Sequence, residues 1–150
     1  MKRCLYFFLL ITLPLQVQAK QKPEGIWPFR INRLDKEGRL HGRWKARVGE
    51  NGILVRNGRF RHGTEVGTWK YYYPSGKLLM VEKHKRKHDY VLVKRYHVNG
   101  NLAKEGRARL VKAGNMIRYY WFGDWKVYDE EGRFNHREYY ENGKAMSFNL

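Results

Sequence analysis

The sequence predicts an all-β protein in which stacked antiparallel β-hairpins form a repeat sheet, preceded by a cleavable signal peptide. Three observations support this fold class. Six glycines recur between apolar positions, no stretch of ten or more residues shows a 3.6-residue apolar period, and the first nineteen residues have the composition of an export signal. We therefore divide the 150 residues into a signal peptide (1–19), an N-terminal lead-in (20–37) and a repeat domain (38–150).

The first segment is interpreted as a secretory signal. Lys2 and Arg3 precede an apolar stretch over residues 4–15, and Ala19 ends a small-residue cleavage site. An apolar stretch of this length is shorter than the roughly twenty residues that span a bilayer, so cleavage is favoured over retention as an anchor. We expect a periplasmic or cell-envelope location. Cys4 is the sole cysteine, so the mature chain would form no disulfide.

The repeated element is a glycine turn between apolar residues. An apolar or aromatic residue stands four positions before each glycine and another two positions after it, and a polar residue precedes each glycine directly. Glycine readily adopts the positive φ of tight hairpin turns, and the flanking residues can then face each other across the ladder. The aligned glycines are Gly38, Gly52, Gly76, Gly100, Gly132 and Gly143.

A second element, Gly-x-Trp, lies upstream of the turns, with tryptophans at Trp27, Trp44, Trp69 and Trp125. We expect each tryptophan to open a strand and to lay its indole over the neighbouring hairpin. Two glycine intervals are 24 residues long, which is typical of a repeat of one supersecondary unit. The interval from Gly100 to Gly132 is eight residues longer and predicts an enlarged hairpin.

The pattern formed by Gly67, Trp69, Tyr72, Tyr73, Gly76 and Leu78 resembles the MORN-repeat variant of bacterial proteins, including those labelled YwqK-type antitoxins. The resemblance covers roughly residues 38–146. It implies an elongated all-β sheet that acts as a non-enzymatic interaction or membrane-associated scaffold. The antitoxin label leaves open an immunity-like role as the partner of a toxin.

The charge predicts the class of partner. Subtracting Lys2 and Arg3 from the formal charge of +17 leaves +15 on the mature chain. Such a charge favours capture of polyanions. For an exported chain we expect an anionic lipid, lipopolysaccharide, a wall polymer or a protein partner, and we expect no small-molecule substrate. A nucleic-acid-binding module, in a chain whose signal is not used, is the alternative.

Two surfaces are candidate binding sites. The basic run after the Gly76 hairpin predicts an anion-binding patch, although such a run is also typical of a solvated loop. The aromatic runs predict an exposed aromatic surface, unless they cover both faces of a thin sheet. The candidate cations are Lys83, Lys85, Arg86 and Lys87, with Arg107, Arg109 and Lys112 as an extension whose face is left open, and the candidate aromatics are Tyr71, Tyr73, Tyr119 and Trp121.

The sequence offers no convincing catalytic or metal site. His84 and His88 are surrounded by cations, which disfavour a bound metal ion. The acidic pairs Asp35/Glu37 and Glu130/Glu131 lie in predicted turns, where acidic side chains commonly form hydrogen bonds with the turn backbone. Serine occurs only twice, and no nucleophile elbow is present. We therefore predict a protein without enzymatic activity, metal or cofactor.

Overall fold

The computed structural model of the protein describes residues 25–26, 30–85, 87–114 and 116–146. The predicted signal peptide lies outside the described residues. The described residues form one ten-stranded antiparallel sheet in which every strand pairs with the next along the chain. The strands are β1 Arg33–Leu34, β2 Leu40–Val48, β3 Ile53–Arg61, β4 Thr64–Tyr72, β5 Leu78–His84, β6 Tyr90–Tyr96, β7 Leu102–Ala113, β8 Met116–Tyr128, β9 Phe134–Glu141 and β10 Lys144–Met146.

The predicted fold class is confirmed, since the described part of the chain contains strands and turns and no helix. Within these ranges no helix has the length and apolar character needed to cross a membrane. The sheet begins at β1, inside the segment interpreted as a lead-in. A hairpin needs a strand on each side of its turn, and the Gly38 turn takes β1 as its first strand.

Each of the six aligned glycines lies between consecutive strands and has a positive φ, between 60° and 98°. Four of these turns share two hydrogen bonds. The glycine N–H donates to the carbonyl oxygen three residues earlier, and the N–H of that earlier residue donates to the carbonyl oxygen of the residue after the glycine. These four turns contain Gly38, Gly76, Gly100 and Gly132. The other two turns differ in length. Asn142 and Gly143 alone connect β9 to β10, and both residues have positive φ.

The expected pairing of the flanking apolar residues is correct for the four equivalent turns. Their cross-strand pairs are Leu34–Leu40, Tyr72–Leu78, Tyr96–Leu102 and Tyr128–Phe134. The expectation is wrong at the other two turns, where Leu54 pairs with Arg47 and Ala145 pairs with Tyr140. Loop length sets hairpin register, so shorter loops bring different residues into opposition.

The apolar core lies on one face of the sheet, which we call the core face, and the opposite face is the outer face. The buried apolar residues are Phe60, Trp69, Val91, Val93, Ala108 and Trp125. The indole of Trp69 covers Gly58, and that of Trp125 covers Gly106. Each indole thus lies over the preceding strand, as expected. The expectation that the tryptophans open their strands is wrong, since Trp69 and Trp125 lie towards the ends of β4 and β8.

Candidate anion-binding surface

Three of the Gly-x-Trp elements place a lysine on the outer face, directly after a tryptophan that lies on the core face. Successive side chains of a strand point to opposite faces, so burial of the indole sends the next side chain outward. The dipeptides Trp44-Lys45, Trp69-Lys70 and Trp125-Lys126 follow this rule on β2, β4 and β8. On β6, buried Val93 takes the place of the tryptophan, and Lys94 follows it.

The strand register aligns these lysines across the sheet. Directly paired residues lie on the same face, and the pairs form one continuous row: Lys45–Asn57–Lys70–Val81–Lys94–Glu105–Lys126–Arg137. Lys45, Lys70, Lys94 and Lys126, hereafter the lysine row, therefore occupy every second strand from β2 to β8. With strands about 4.8 Å apart, they recur at intervals of about 10 Å over roughly 29 Å.

One carboxylate lies within this row. Glu105 forms ion pairs with Lys94 and with Lys126, each at 3.3 Å, and accepts a 2.8 Å hydrogen bond from the Tyr128 hydroxyl. Burial alone would raise the pKa of Glu105, but the hydrogen bonds from Tyr128, Lys126 and Lys94 hold that pKa below its usual value. Glu105 offsets one positive charge of the row and keeps two lysines in place, so the row stays cationic.

The predicted cations are divided among three locations. Lys83 pairs with Leu92 and Leu92 pairs with Arg107, so Lys83 and Arg107 share the outer face, and Arg109 follows two residues further along β7. Lys112 stands three positions after Arg109 in a regular stretch of β7, so the two side chains point to opposite faces. Lys85 and Lys87 belong to the connection between β5 and β6, and Arg86 lies outside the described residues.

Aromatic rings do lie beside cations on the outer face, but they are not the predicted ones. The guanidinium carbon of Arg107 is 5.7 Å from the ring centre of Tyr90 and 5.3 Å from that of Phe122. Arg109 is 4.4 Å from the ring centre of Phe122 and forms a 3.1 Å ion pair with Asp89. Arg107 therefore presents a charge held between two aromatic rings.

The four predicted aromatic residues have other positions. Tyr71 and Trp121 lie on the core face, where the Tyr71 hydroxyl donates to Glu82 at 2.7 Å and the Trp121 ring stacks on Trp125 with centroids 3.9 Å apart. Tyr119 lies on the same face and bonds to Glu82 through its hydroxyl. Tyr73 lies in the Gly76 turn and donates to the Tyr96 carbonyl oxygen at 2.9 Å. The prediction of an exposed aromatic surface is therefore wrong for Tyr71, Tyr73 and Trp121, which are half-buried, whereas Tyr119 is 41% exposed although it lies on the core face.

With this geometry established, comparison with known families identifies one segment. Residues 65–85 match the family model of the MORN repeat variant. The match covers β4, the Gly76 turn and β5, and thus includes Trp69 and Lys70. The resemblance to this repeat is confirmed for that segment, while the YwqK-type subfamily stays a prediction. No curated protein and no solved structure matches the chain significantly.

The MORN repeat segment also carries a buried acidic cluster on the core face that the sequence did not reveal. Glu82 is 4% exposed, and the Arg56 guanidinium contacts Glu65 at 3.0 Å. His84 Nε2 lies 3.6 Å from Glu65 and 3.7 Å from Glu82. Glu82 pairs with Val93 and lies next to Trp69, so burial follows from its register. The sequence could have indicated that Glu65 lies on the core face, because Glu65, Trp69 and Tyr71 are an even number of positions apart on β4.

The two carboxyl groups of this cluster have opposite pKa shifts. Burial would raise the pKa of Glu82, but interactions with His84 and with the hydroxyls of Tyr119 and Tyr71 hold it below its usual value. Burial raises the pKa of Glu65, and the charges of Arg56 and His84 offset this only in part. Tyr119 of β8 reaches Glu82 of β5 across two intervening strands, which requires the sheet to curl towards the core face.

Among the described residues, two groups of side chains have the spacing to hold a metal ion. Ligand atoms of Glu65, Glu82 and His84 lie within 4.8 Å of one another, as do those of Asp35, His41 and His62. Both groups already have internal partners. In the first group, Arg56 contacts Glu65 and the Tyr71 hydroxyl donates to Glu82. In the second group, Asp35 bonds to Arg39 at 2.9 Å and to His62 at 2.8 Å. These contacts account for both groups as parts of the fold.

Proposed function

We propose that the protein is exported to the cell envelope and binds a polyanionic surface there through its outer face, without catalysis. The observation that carries this proposal is the lysine row, which spans seven strands at a regular interval. Its members follow the buried positions of each repeat, so the pattern that builds the core also builds the cationic face. An extended array of this kind suits a surface or a polymer with repeated negative charges.

The magnitude of the attraction indicates how many cations are needed. A cation near an acidic surface contributes about 1 kcal/mol, so the lysine row, less the charge of Glu105, would give about 3 kcal/mol, equivalent to a Kd of roughly 6 mM. Lys83, Arg107 and Arg137 lie on the same face and would bring the total to about 6 kcal/mol, equivalent to a Kd of roughly 40 μM. Stable binding therefore requires the whole outer face.

A matched pair of triple variants tests the role of this face. The triple variant Lys70→Ser/Lys94→Ser/Lys126→Ser removes three charges from the lysine row. Lys36→Ser/Lys77→Ser/Lys144→Ser removes the same charge from exposed positions in turns and on the edge strand β10. Binding to heparin, as a soluble polyanion, and to vesicles containing phosphatidylglycerol would be measured for both variants at low and high salt.

The row variant should lose roughly 10- to 100-fold in affinity at low salt, because Glu105 already offsets part of the charge of Lys94 and Lys126. The control variant should lose far less, and high salt should weaken binding of the unmodified protein steeply. Equal losses in the two variants would show that total charge, and not the outer face, governs binding. That outcome would overturn the proposal.

Fractionation tests the proposed location. We expect a mature chain beginning at Lys20 in the envelope fraction, read by N-terminal sequencing. An intact chain in the cytoplasm would contradict export and would favour the alternative of a nucleic-acid-binding module, for which Arg107 between Tyr90 and Phe122 offers a cationic stacking site.

A further inference from the structure

The hairpin of β7 and β8 projects beyond the rest of the sheet. β6 pairs with β7 only as far as Arg109, and β9 pairs with β8 from Gly123 onwards. Residues 110–113 and 116–119, hereafter the β7–β8 tip, therefore pair only with each other. The side chain of Tyr119, at the base of the tip, reaches back to Glu82. The three residues beyond it on each strand correspond to a projection of about 10 Å.

The tip exposes large apolar side chains. Leu110 is 45% exposed, Val111 40%, Met116 62% and Ile117 65%. Val111 pairs with Arg118 and Ile117 pairs with Lys112, so apolar side chains and cations lie on both faces of the tip. Large apolar side chains that stay exposed together on one projecting hairpin mark a contact site.

Further cations lie at the same end of the sheet. In this antiparallel order, the connections β5–β6 and β7–β8 lie at the same end, so exposed Lys85 and Lys87 accompany the tip. Apolar side chains bordered by lysine and arginine are the composition that inserts into the interface of an acidic bilayer, because the long cationic side chains reach the headgroups while the apolar groups enter the acyl region. This charge complementarity favours a lipid surface over a neutral protein partner.

We infer that the β7–β8 tip inserts into an acidic phospholipid bilayer. This inference rests on the proposed function, and it identifies the polyanion as a membrane. Interfacial elements penetrate about 5–10 Å, which is within the projection of the tip. Met116 lies two residues before Arg118, which pairs with Val111 on the outer-face side of the tip, so Met116 lies on that side as well. A tilted sheet can therefore bring the tip and the lysine row to one surface.

A double variant with a matched control tests the insertion. Met116→Ser/Ile117→Ser removes the most exposed apolar side chains of the tip. Val48→Ser/Ile53→Ser makes the same chemical change in a directly paired, exposed couple at the opposite end of the sheet. The tip variant should bind phosphatidylglycerol vesicles roughly tenfold more weakly or worse and bind heparin unchanged, because heparin has no apolar phase. The control should retain both affinities.

The depth of the tip is measured with one fluorophore. In the chain carrying Cys4→Ser, Ile117→Cys provides a single labelling site, and Val48→Cys is the control position. An environment-sensitive dye at position 117 should shift to the blue and be quenched by nitroxide-labelled acyl chains on phosphatidylglycerol vesicles, whereas the dye at position 48 should not.

The outcomes separate the two proposals. If the lysine-row variant loses vesicle and heparin binding while the tip variant loses neither, the cationic face stands and insertion is wrong. If neither variant loses vesicle binding, both proposals fail. A blue shift at position 117 that rises with protein concentration in the absence of vesicles would show that the tip contacts a second copy of the chain, and this would overturn insertion.

Discussion

Gly58 and Gly106 have a steric role that differs from that of the turn glycines. A Cβ atom added at either position would lie less than 3.0 Å from the indole of Trp69 or Trp125. Neither glycine has a positive φ, whereas Gly76 has a φ of 81° and open space around its missing side chain. The two classes of glycine are thus required for different reasons, close packing in one and backbone conformation in the other.

Substitution separates these two roles. Gly106→Ala should displace the Trp125 indole and lower the free energy of unfolding by about 1–3 kcal/mol through overpacking. Gly76→Ala should cost about 1 kcal/mol through its left-handed backbone and leave the tryptophans in place. Urea denaturation would give the stabilities, and the tryptophan emission spectrum of the folded state should change in Gly106→Ala alone. An unchanged spectrum in Gly106→Ala would contradict the packing of Trp125 on Gly106.

Glu82 makes stability depend on pH. Its pKa lies below the unfolded value of about 4.5, so its ionised form stabilises the fold above that pH, and this contribution is lost as the pH falls through the lower folded-state pKa. Glu65 acts in the opposite sense, because its pKa is raised, and its stabilising contribution is present below the unfolded pKa and lost as the pH rises through the folded one.

The variant Glu82→Gln should therefore be less stable than the unmodified protein by about 1–3 kcal/mol at pH 7, since the hydroxyls of Tyr71 and Tyr119 lose a charged acceptor. The difference should narrow as the pH falls below about 4.5, because the unfolded state then binds a proton that Glu82 does not yet bind in the folded state. Thermal or urea unfolding across this pH range measures both quantities. A difference that stays constant down to pH 3 would mean that ionisation of Glu82 does not stabilise the fold.

At the scale of elements, the sequence contained most of the hairpin order. The pattern of a polar residue before glycine, flanked by apolar residues, correctly predicted equivalent turns at Gly38, Gly76, Gly100 and Gly132. Such turns can be predicted because the conformation of a tight turn depends on the few residues within it. The aromatic runs could not be resolved in the same way. In "YYYP" and "YYWF" no charged residue alternates with the aromatic ones, so the sequence does not indicate whether the odd or the even positions face the core. The predicted residues Tyr71, Tyr119 and Trp121 lie on the core face.

Three of the four lysines in the row could have been found from the sequence. A tryptophan followed by lysine occurs three times, and a buried tryptophan on a strand directs the next side chain outward. Lys94 and the burial of Glu82 could not be found in this way, because each depends on register across several strands. The role of Gly58 and Gly106 likewise depends on contacts with a different strand.

The hydrogen-bonding pattern of the elements predicts their local stability. β6 is bonded on both sides and carries buried Val91 and Val93, whereas β10 pairs only with β9 and the β7–β8 tip pairs only with itself. Amide hydrogen exchange should therefore be slowest in β6 and faster by at least an order of magnitude in β10 and the tip. Tip amides that exchange as slowly as those of β6 would show that the tip is covered in solution and not free to insert.

At the scale of the whole molecule, the two faces of one sheet have separate chemistries. The core face gathers tryptophans, valines and the Glu82 cluster, and the outer face carries the lysine row, Lys83 and Arg107. The charge of +17 thus has an ordered component, because the repeat places a lysine at the same position on alternate strands. A surface with lysines at defined positions differs from one whose cations are scattered, because the defined positions predict which lysines contact the ligand.

Lysine footprinting tests this claim most directly. An amine-reactive reagent would be applied with and without heparin at low salt, and modification would be read by mass spectrometry. We predict protection of Lys45, Lys70, Lys94 and Lys126, with Lys36, Lys77 and Lys144 modified to the same extent in both samples. Protection confined to Lys85 and Lys87, or spread evenly over all lysines, would contradict a binding surface built from the repeat.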